Sequence, residues 1–252
     1  METALIAVGI ILAVCLLLLA TAYMFWRYYW FWRNPTRNVP KGDHFLSPAD
    51  GTFVYAKRAA PDEPIISCKQ GKAVSIDEIA RDKLGQPKIL VGIFMSPFGV
   101  HYNRAPIGGC IDYSREYPAE GKNLHMGSMH WRCLLRRLPI YANSPHITGN
   151  NRRVTRFRGA FKGEDVCCYV VQIGGGSVHG IDVYAKIGDP VEQGAVFGII
   201  RIGSQVDLIV PDLPDLEIRV SPGDRVVAGE TILVAAGQTG VSPRNGREPS
   251  HA

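Results

Sequence analysis

The sequence lacks the marks of several large protein classes. Its six cysteines (Cys15, Cys68, Cys110, Cys133, Cys167 and Cys168) form no C-x-x-C pair, one lies in an apolar run and two are adjacent. That excludes a disulfide framework and a structural zinc site, and reads as reduced thiols facing a reducing compartment. No long Lys/Arg block is present. The net charge of +5 over 252 residues is dispersed, which favours anionic surfaces weakly and makes no case for nucleic acid. The spacing of His125, His130 and His146 fits neither H-E-x-x-H nor a zinc pattern, so no metal is expected. Charged residues are only 20% of the chain against 46% hydrophobic, which excludes wholesale disorder and suits one domain with an attachment, or two small ones.

Charge is also missing from residues 4–26, an apolar run long enough to cross a bilayer with some tilt. No basic stretch precedes it and no small-residue cleavage site follows, so it reads as an anchor over residues 1–30 rather than a signal peptide. Tyr23, Trp26, Tyr28, Tyr29, Trp30 and Trp32 make an aromatic belt beside Arg27, Arg33, Arg37 and Lys41, with only Glu2 on the other flank. The positive-inside rule then places the remainder in the cytoplasm, on a single span of the inner membrane. Residues 31–42 read as a basic, proline-punctuated linker, with Arg33 and Arg37 within reach of lipid phosphates.

From residue 43 to 236 the pattern is short strands and turns. Ser47-Pro48-Ala49-Asp50-Gly51 is a turn before a strand, residues 89–95 are a buried strand, and residues 152–161 and 166–173 are two more. His101 follows a strand beside Pro and Gly, a position that presents an imidazole. Residues 113–153 read as a long loop region with a strand or two. Two stretches 35 residues apart, from Val183 and from Ile218, share the form strand, G-D-x-V-x-x-G, strand. This is the pattern of a lipoyl- or biotinyl-carrier-like flattened β-barrel, whose halves are related by approximate two-fold symmetry. The expected class is therefore mainly β, with α+β as the variant, around such a barrel. No lysine occurs from Gln193 onward, so a lysine-borne swinging arm is disfavoured. Between the repeats stands Gly203-Ser204, either a turn or a reactive centre. Residues 237–252, rich in Gly, Ser, Pro and Arg, read as a disordered tail.

Four segments in order resemble the phosphatidylserine decarboxylase family, in particular its shorter prokaryotic branch. They are Phe31-Trp32-Arg33-Asn34-Pro35-Thr36-Arg37, Ser47-Pro48-Ala49-Asp50-Gly51, the stretch from Met95 through His101 and Arg104 to Pro106, and the stretch from Lys186 to Pro211. The resemblance implies self-cleavage between Gly203 and Ser204, with Ser204 becoming a pyruvoyl group and the two fragments staying associated. It implies Asp50 as the base for the Ser204 hydroxyl, and conversion of phosphatidylserine to phosphatidylethanolamine and CO2 on a carbonyl that condenses with the substrate amine. His101 then protonates the carbanion left by CO2, and Arg104 and Arg201 meet substrate phosphate or carboxylate. The longer branch has a second histidine where Arg104 stands, so the relay to Asp50 is left open among His101, His44, His179 or none. An Asn-Glu-Arg-like segment is echoed only by Asn150-Asn151-Arg152-Arg153. Two other readings stand beside this one, a non-enzymatic membrane-anchored adaptor and a homologue that has lost activity. Homo-oligomers are compatible with all three.

Overall fold

The computed structural model describes residues 1–63, 66–69, 72–119, 121–141, 144–176, 180–201 and 203–237. Residues 238–252 of the tail expected to be disordered, and His179, lie outside them. Helix α1 (Glu2–Tyr28) is continuous, has no buried residue, and is followed by a 3-10 turn (Trp30–Trp32). Its most apolar window has a mean hydropathy of 3.0, and at 1.5 Å per residue it is about 40 Å long, enough to cross a membrane.

The rest is mainly β. In chain order come β1 (His44–Leu46), β2 (Gly51–Ala59), β3 (Ile66–Lys69), β4 (Lys72–Val74), β5 (Lys88–Met95), β6 (Tyr102–Arg104), β7 (Gly109–Tyr117) and β8 (Arg152–Phe161). They are followed by β9 (Glu164–Gly174), β10 (Ile181–Val183), β11 (Pro190–Val191), β12 (Val196–Ile200), β13 (Ser204–Pro211), β14 (Leu216–Ile218), β15 (Arg225–Val226) and β16 (Ile232–Ala236). Three short helices, α2 (Ile76–Ala80), α3 (Gly127–Leu134) and α4 (His146–Gly149), lie between strands. Residues 113–153, expected to be mostly loop, thus hold the end of β7, α3 and α4. Helix α3 starts at Met126 without a side-chain cap and leaves Trp131 and Leu134 exposed, so neither capping nor a core-facing stripe marked it.

Eight strands form one curled sheet in the order β11-β7-β8-β9-β13-β5-β2-β15, flanked by three-stranded sheets β10-β12-β6 and β14-β16-β1. The order is a palindrome about the β9–β13 junction. Matching hydrogen bonds repeat the symmetry: Ser47 N to Thr231 O against Ala105 N to Ala195 O, and Gly229 N to Ser47 O against Gly194 N to Ala105 O. The repeat glycines agree as well, Gly188 with Gly223 and Gly194 with Gly229 all taking positive φ, where a Cβ is penalised. One half is contiguous from β6 to β12 and joins β8 to β9 by a tight turn between the paired Phe161 and Glu164. In the other half the corresponding strands are β5 and β13, paired at Met95 and Ser204, and the whole first half is inserted between them.

Both faces of this sheet are covered. Met95, Ile93, Val91, Val206, Leu208 and Val170 face an inner core, while Leu90, Phe94, Ile209, Val171 and Ile173 pack on the other side with residues of α2, α3 and α4. Strand β13 is buried at every position but Pro211. That is why Val206, Leu208, Ile209 and Val210 are apolar on both faces instead of alternating with exposed polar residues, and why Ser204, Gln205 and Asp207 are buried among them.

Candidate active site

Ser204 opens β13 between Met95 and Gly174. Its side chain shares the inner face with Val206 and is wholly buried. The hydroxyl donates to the Met95 sulfur at 3.2 Å, and a thioether is a weak acceptor and no base. Gly203 before it has φ +52°, and a Cβ there would meet nothing within 4 Å. The backbone conformation, not crowding, favours glycine at 203. The Gly203 carbonyl accepts the Gly175 N–H at 3.1 Å. A Cβ on residue 175 would stand 2.3 Å from that oxygen, so only glycine allows the approach. The donated hydrogen bond polarises the carbonyl carbon next to the Ser204 hydroxyl.

Asp50 is committed elsewhere. Both carboxylate oxygens lie 2.9 Å from Arg37 Nη2, and Oδ1 also accepts the Ala228 N–H at 2.8 Å. It precedes β2, which is separated from β13 by β5, so two strand spacings, about 10 Å, part it from the 203–204 backbone. His101 is fully buried at the start of β6, where its carbonyl accepts the Ile200 N–H at 3.3 Å. The Phe31 ring lies over the imidazole with centroids 4.4 Å apart. Nδ1 is 3.1 Å from the Gly99 carbonyl, which can only accept, so Nδ1 carries the proton and Nε2 is a buried lone pair without a partner. Burial pushes the His101 pKa down to about 4, the Gly99 hydrogen bond opposing and Arg33 assisting. The imidazole is therefore neutral near pH 7, a proton acceptor as it stands.

The expectation that Arg104 meets substrate phosphate finds a guanidinium used as an internal brace. It donates to the carbonyls of Gly194 (2.8 Å) and Pro35 (3.1 Å) and to Asn34 Oδ1 (2.7 Å), tying residues 34 and 35 to the β domain. Arg201 is half-exposed and bound to Asp182 Oδ2 through Nε (2.9 Å) and Nη2 (2.6 Å). His44 is buried in β1 with Nε2 3.2 Å from the Pro40 carbonyl, in a sheet that does not contain β13.

One cleft borders Gly203, and a second adjoins it through shared wall residues. The first, about 340 Å³, has a floor of Gly175, Gly176 and Gly203 and walls of Phe94, Pro97, Met126 and Trp131, with His125 and His130 at its side. The second, about 440 Å³, shares Phe94 and His130 with it and adds Arg33, Asp50, Arg136 and Arg225. One is apolar and the other basic, which together complement a ligand with an apolar part and an anionic part. Sequence reasoning set His125 and His130 aside because their spacing fits no metal. It also missed Gly175, although three successive glycines, Gly174 to Gly176, were there to be read.

A buried polar network lies on the other face of β13. Gln205 donates to Tyr55 Oη (2.8 Å) and to Asp207 Oδ1 (2.7 Å), Tyr55 donates to the same oxygen (2.9 Å), and His146 Nε2 donates to Gln205 Oε1 (3.1 Å). Burial raises the Asp207 pKa to about 7 against the pull of Gln205, Tyr55 and Arg152. Asn150, within the segment thought to echo an Asn-Glu-Arg motif, donates to the carbonyls of Leu124 (2.9 Å) and Gly174 (2.6 Å). It thereby fastens the His125 loop to the strand end that contacts Gly203.

The family model described as phosphatidylserine decarboxylase matches residues 25–234. A Methanocaldococcus jannaschii protein, provisionally named an archaetidylserine decarboxylase proenzyme, is 33% identical over 88% of this chain and 92% of its own length. Phosphatidylserine decarboxylase proenzymes of Amoebophilus asiaticus and Symbiobacterium thermophilum are 31% and 32% identical, each over 81% of this chain and over 73% and 76% of their own lengths.

Proposed function

Because the chain belongs to the phosphatidylserine decarboxylase family, we propose that it is a membrane-anchored proenzyme that cuts itself between Gly203 and Ser204 and then decarboxylates phosphatidylserine to phosphatidylethanolamine. The observation that carries this reading is the Gly203–Ser204 junction. A left-handed glycine there presents a hydrogen-bonded carbonyl beside a buried hydroxyl, at the edge of an apolar cleft. Ser204 Oγ attacks the Gly203 carbonyl carbon and the acyl group moves from nitrogen to oxygen, with Gly175 N–H steadying the developing oxyanion. Loss of the Ser204 Cα proton then expels the upstream chain as a carboxylate. Hydrolysis of the dehydroalanine left at 204, with loss of ammonia, gives the pyruvoyl group. The residues fit that group, since residue 204 becomes an N-terminus bordering the cleft without losing its strand neighbours. When formed, a pyruvoyl group supplies an electron sink for loss of CO2.

His101 is our proton carrier. Neutral at rest, it can accept the proton that the substrate ammonium must shed and return it to carbon after CO2 leaves. Asp50 is retained as the candidate base for cleavage, which requires both release from Arg37 and a closing of the two strand spacings, about 10 Å, to the junction. Arg201, with Arg33 and Arg225 in the basic cleft, is assigned to the phosphate. The relatives' names share a serine head group and differ in the lipid part, so the head group is the constant of the reading. We also read the paired repeats as a lipoyl-like barrel and α1 as a span with the bulk on the cytoplasmic side, supported by the matching turn glycines and the arginines after the helix.

The contact of Ser204 with a sulfur instead of a base favours a second reading, a homologue that cleaves slowly or not at all. An intact-mass spectrum of the chain and of Ser204→Ala separates them. The first reading expects two pieces from the native chain, the smaller blocked by a pyruvoyl group at 204, and one piece from the variant. A native chain that stays whole in membranes sinks it.

A further inference from the structure

We propose that α3 and the turn after it, residues 127–138, form a second membrane contact that lies in the head-group layer of an anionic bilayer beside the end of α1. Four large apolar side chains fall within eight residues here, and all point to solvent: Trp131 (61% exposed), Leu134 (63%), Leu135 (55%) and Leu138 (67%). The buried face of the same helix is supplied by Met129. An exposed cluster of this kind is rare on a soluble surface, where no contact offsets its hydration.

Charge states what covers it. Arg136 and Arg137 are exposed among these side chains and Arg132 is half-buried. From residue 121 to residue 163 the chain contains no Asp or Glu. Leucine and tryptophan interleaved with arginine on a short surface helix match the chemistry of a phospholipid interface, with acyl carbons below and phosphates above. A protein partner of that extent without a single acidic counterpart on this side would itself have to be acidic and apolar together, as a bilayer surface is.

Position gives the second argument. Phe98, itself 63% exposed, links the surface to α1. Trp26 lies 6.1 Å from its ring, and Trp30 Nε1 and Arg33 Nη2 donate to its carbonyl at 3.3 and 2.9 Å. Phe98 and Leu134 line one cleft, and Pro97 and Trp131 line the other. The exposed apolar side chains therefore ring the cleft mouths on the side where α1 ends. Seated on a bilayer, they bring both clefts to lipid at head-group depth. This deepens the proposed function but is measurable without it.

The test uses the full chain in vesicles of phosphatidylglycerol and phosphatidylcholine whose acyl chains are brominated near the head group. Trp131 is isolated by difference, subtracting the emission of Trp131→Phe, a substitution that keeps an apolar ring. Every sample remains inserted through α1, so the difference reports α3 alone. Bromolipid should quench the Trp131 component strongly and aqueous iodide weakly. Leu134→Glu/Leu135→Glu should reverse that order, with bromolipid quenching falling by more than about half. Quenching by iodide but not by bromolipid in the native chain overturns the proposal, whether or not the chain cleaves or decarboxylates.

Discussion

Gly175→Ala puts a methyl carbon 2.3 Å from the Gly203 carbonyl oxygen, and one strand end must retreat. Overpacking of this kind costs about 1–3 kcal/mol. Retreat also removes the hydrogen bond that polarises the scissile carbonyl. We expect a fall in Tm together with fragment formation slowed at least about tenfold, the equivalent of ~1.4 kcal/mol in the barrier. A gel time course reads the second effect, and an unchanged rate in a folded variant removes Gly175 from the mechanism. Proton linkage gives another residue-scale test. Burial holds His101 and His146 near pKa 4, below their usual 6.5. Between pH 6.5 and 4 the unfolded chain binds two protons that the folded chain refuses, so stability falls on acidification. Asp207, raised to about 7, acts in the opposite sense: the unfolded chain loses this proton near pH 3.8 while the folded chain keeps it up to about 7, so its contribution is full below pH 3.8 and is lost as pH rises through 7. Asp207→Asn should therefore steepen the acid loss and stabilise the fold at pH 8, read from urea midpoints at several pH values. Equal slopes for the two proteins would count against a protonated Asp207. Little of this was legible beforehand. Gly203 and Ser204 stood out because polar and small residues interrupt an apolar run, whereas Asp207 sat in the same run and its partners lie on distant strands.

At the scale of elements, the 3-10 turn after α1 is a latch. Phe31 is buried against His101, while Trp30 and Arg33 hold the Phe98 loop. Phe31→Ala should cost about 3–5 kcal/mol by opening a cavity. With water at its ring, the His101 pKa should move up from about 4 toward its usual value. Titration of the ring by NMR checks this, and an unmoved pKa would mean that Phe31 does not shield it. The sequence showed most strands well. β5, β8 and β9 fall within a residue or two of the expected limits because turn residues bound them, and β5 and β9 are also rich in β-branched residues. The segment Phe31–Arg37 read as a linker because the partners that hold Phe31, Arg33, Asn34 and Pro35 to the β domain are 65 to 70 residues away, while that of Arg37, Asp50, is nearer. Residues 127–138 read as loop because their apolar side chains face outward, against the rule by which helices are recognised.

For the whole molecule, the palindromic sheet decides what a cut at 203–204 can release. The piece beginning at Ser204 supplies β13, bonded on one side to β5 and on the other to β9, and supplies β15 and β16, which pair with β2 and β1. Each strand it contributes to the eight-stranded sheet adjoins a strand of the larger piece. We expect the fragments to co-purify through salt and mild detergent and to separate only in denaturant, with one unfolding transition for both. Elution of a folded small fragment by itself would contradict the interlock. The repeat behind this symmetry was readable in G-D-x-V-x-x-G. The insertion of one half between β5 and β13 was not, because no local pattern records which strand a neighbour will be.

That insertion also sets an order of events during synthesis. When β5 leaves the ribosome its neighbour β13 does not yet exist, and the chain must first make every strand from β6 to β12. Met95, Gly174 and Gly175 are then in place to receive the last arrivals, and α1 has long since emerged. On the proposed function the reacting bond is assembled only when the sheet closes, so a nascent or truncated chain would have no means of cutting itself. Breakage at Ser204 would then be a record that folding has finished, written by the protein at a point when its N-terminal helix has already had time to find the bilayer.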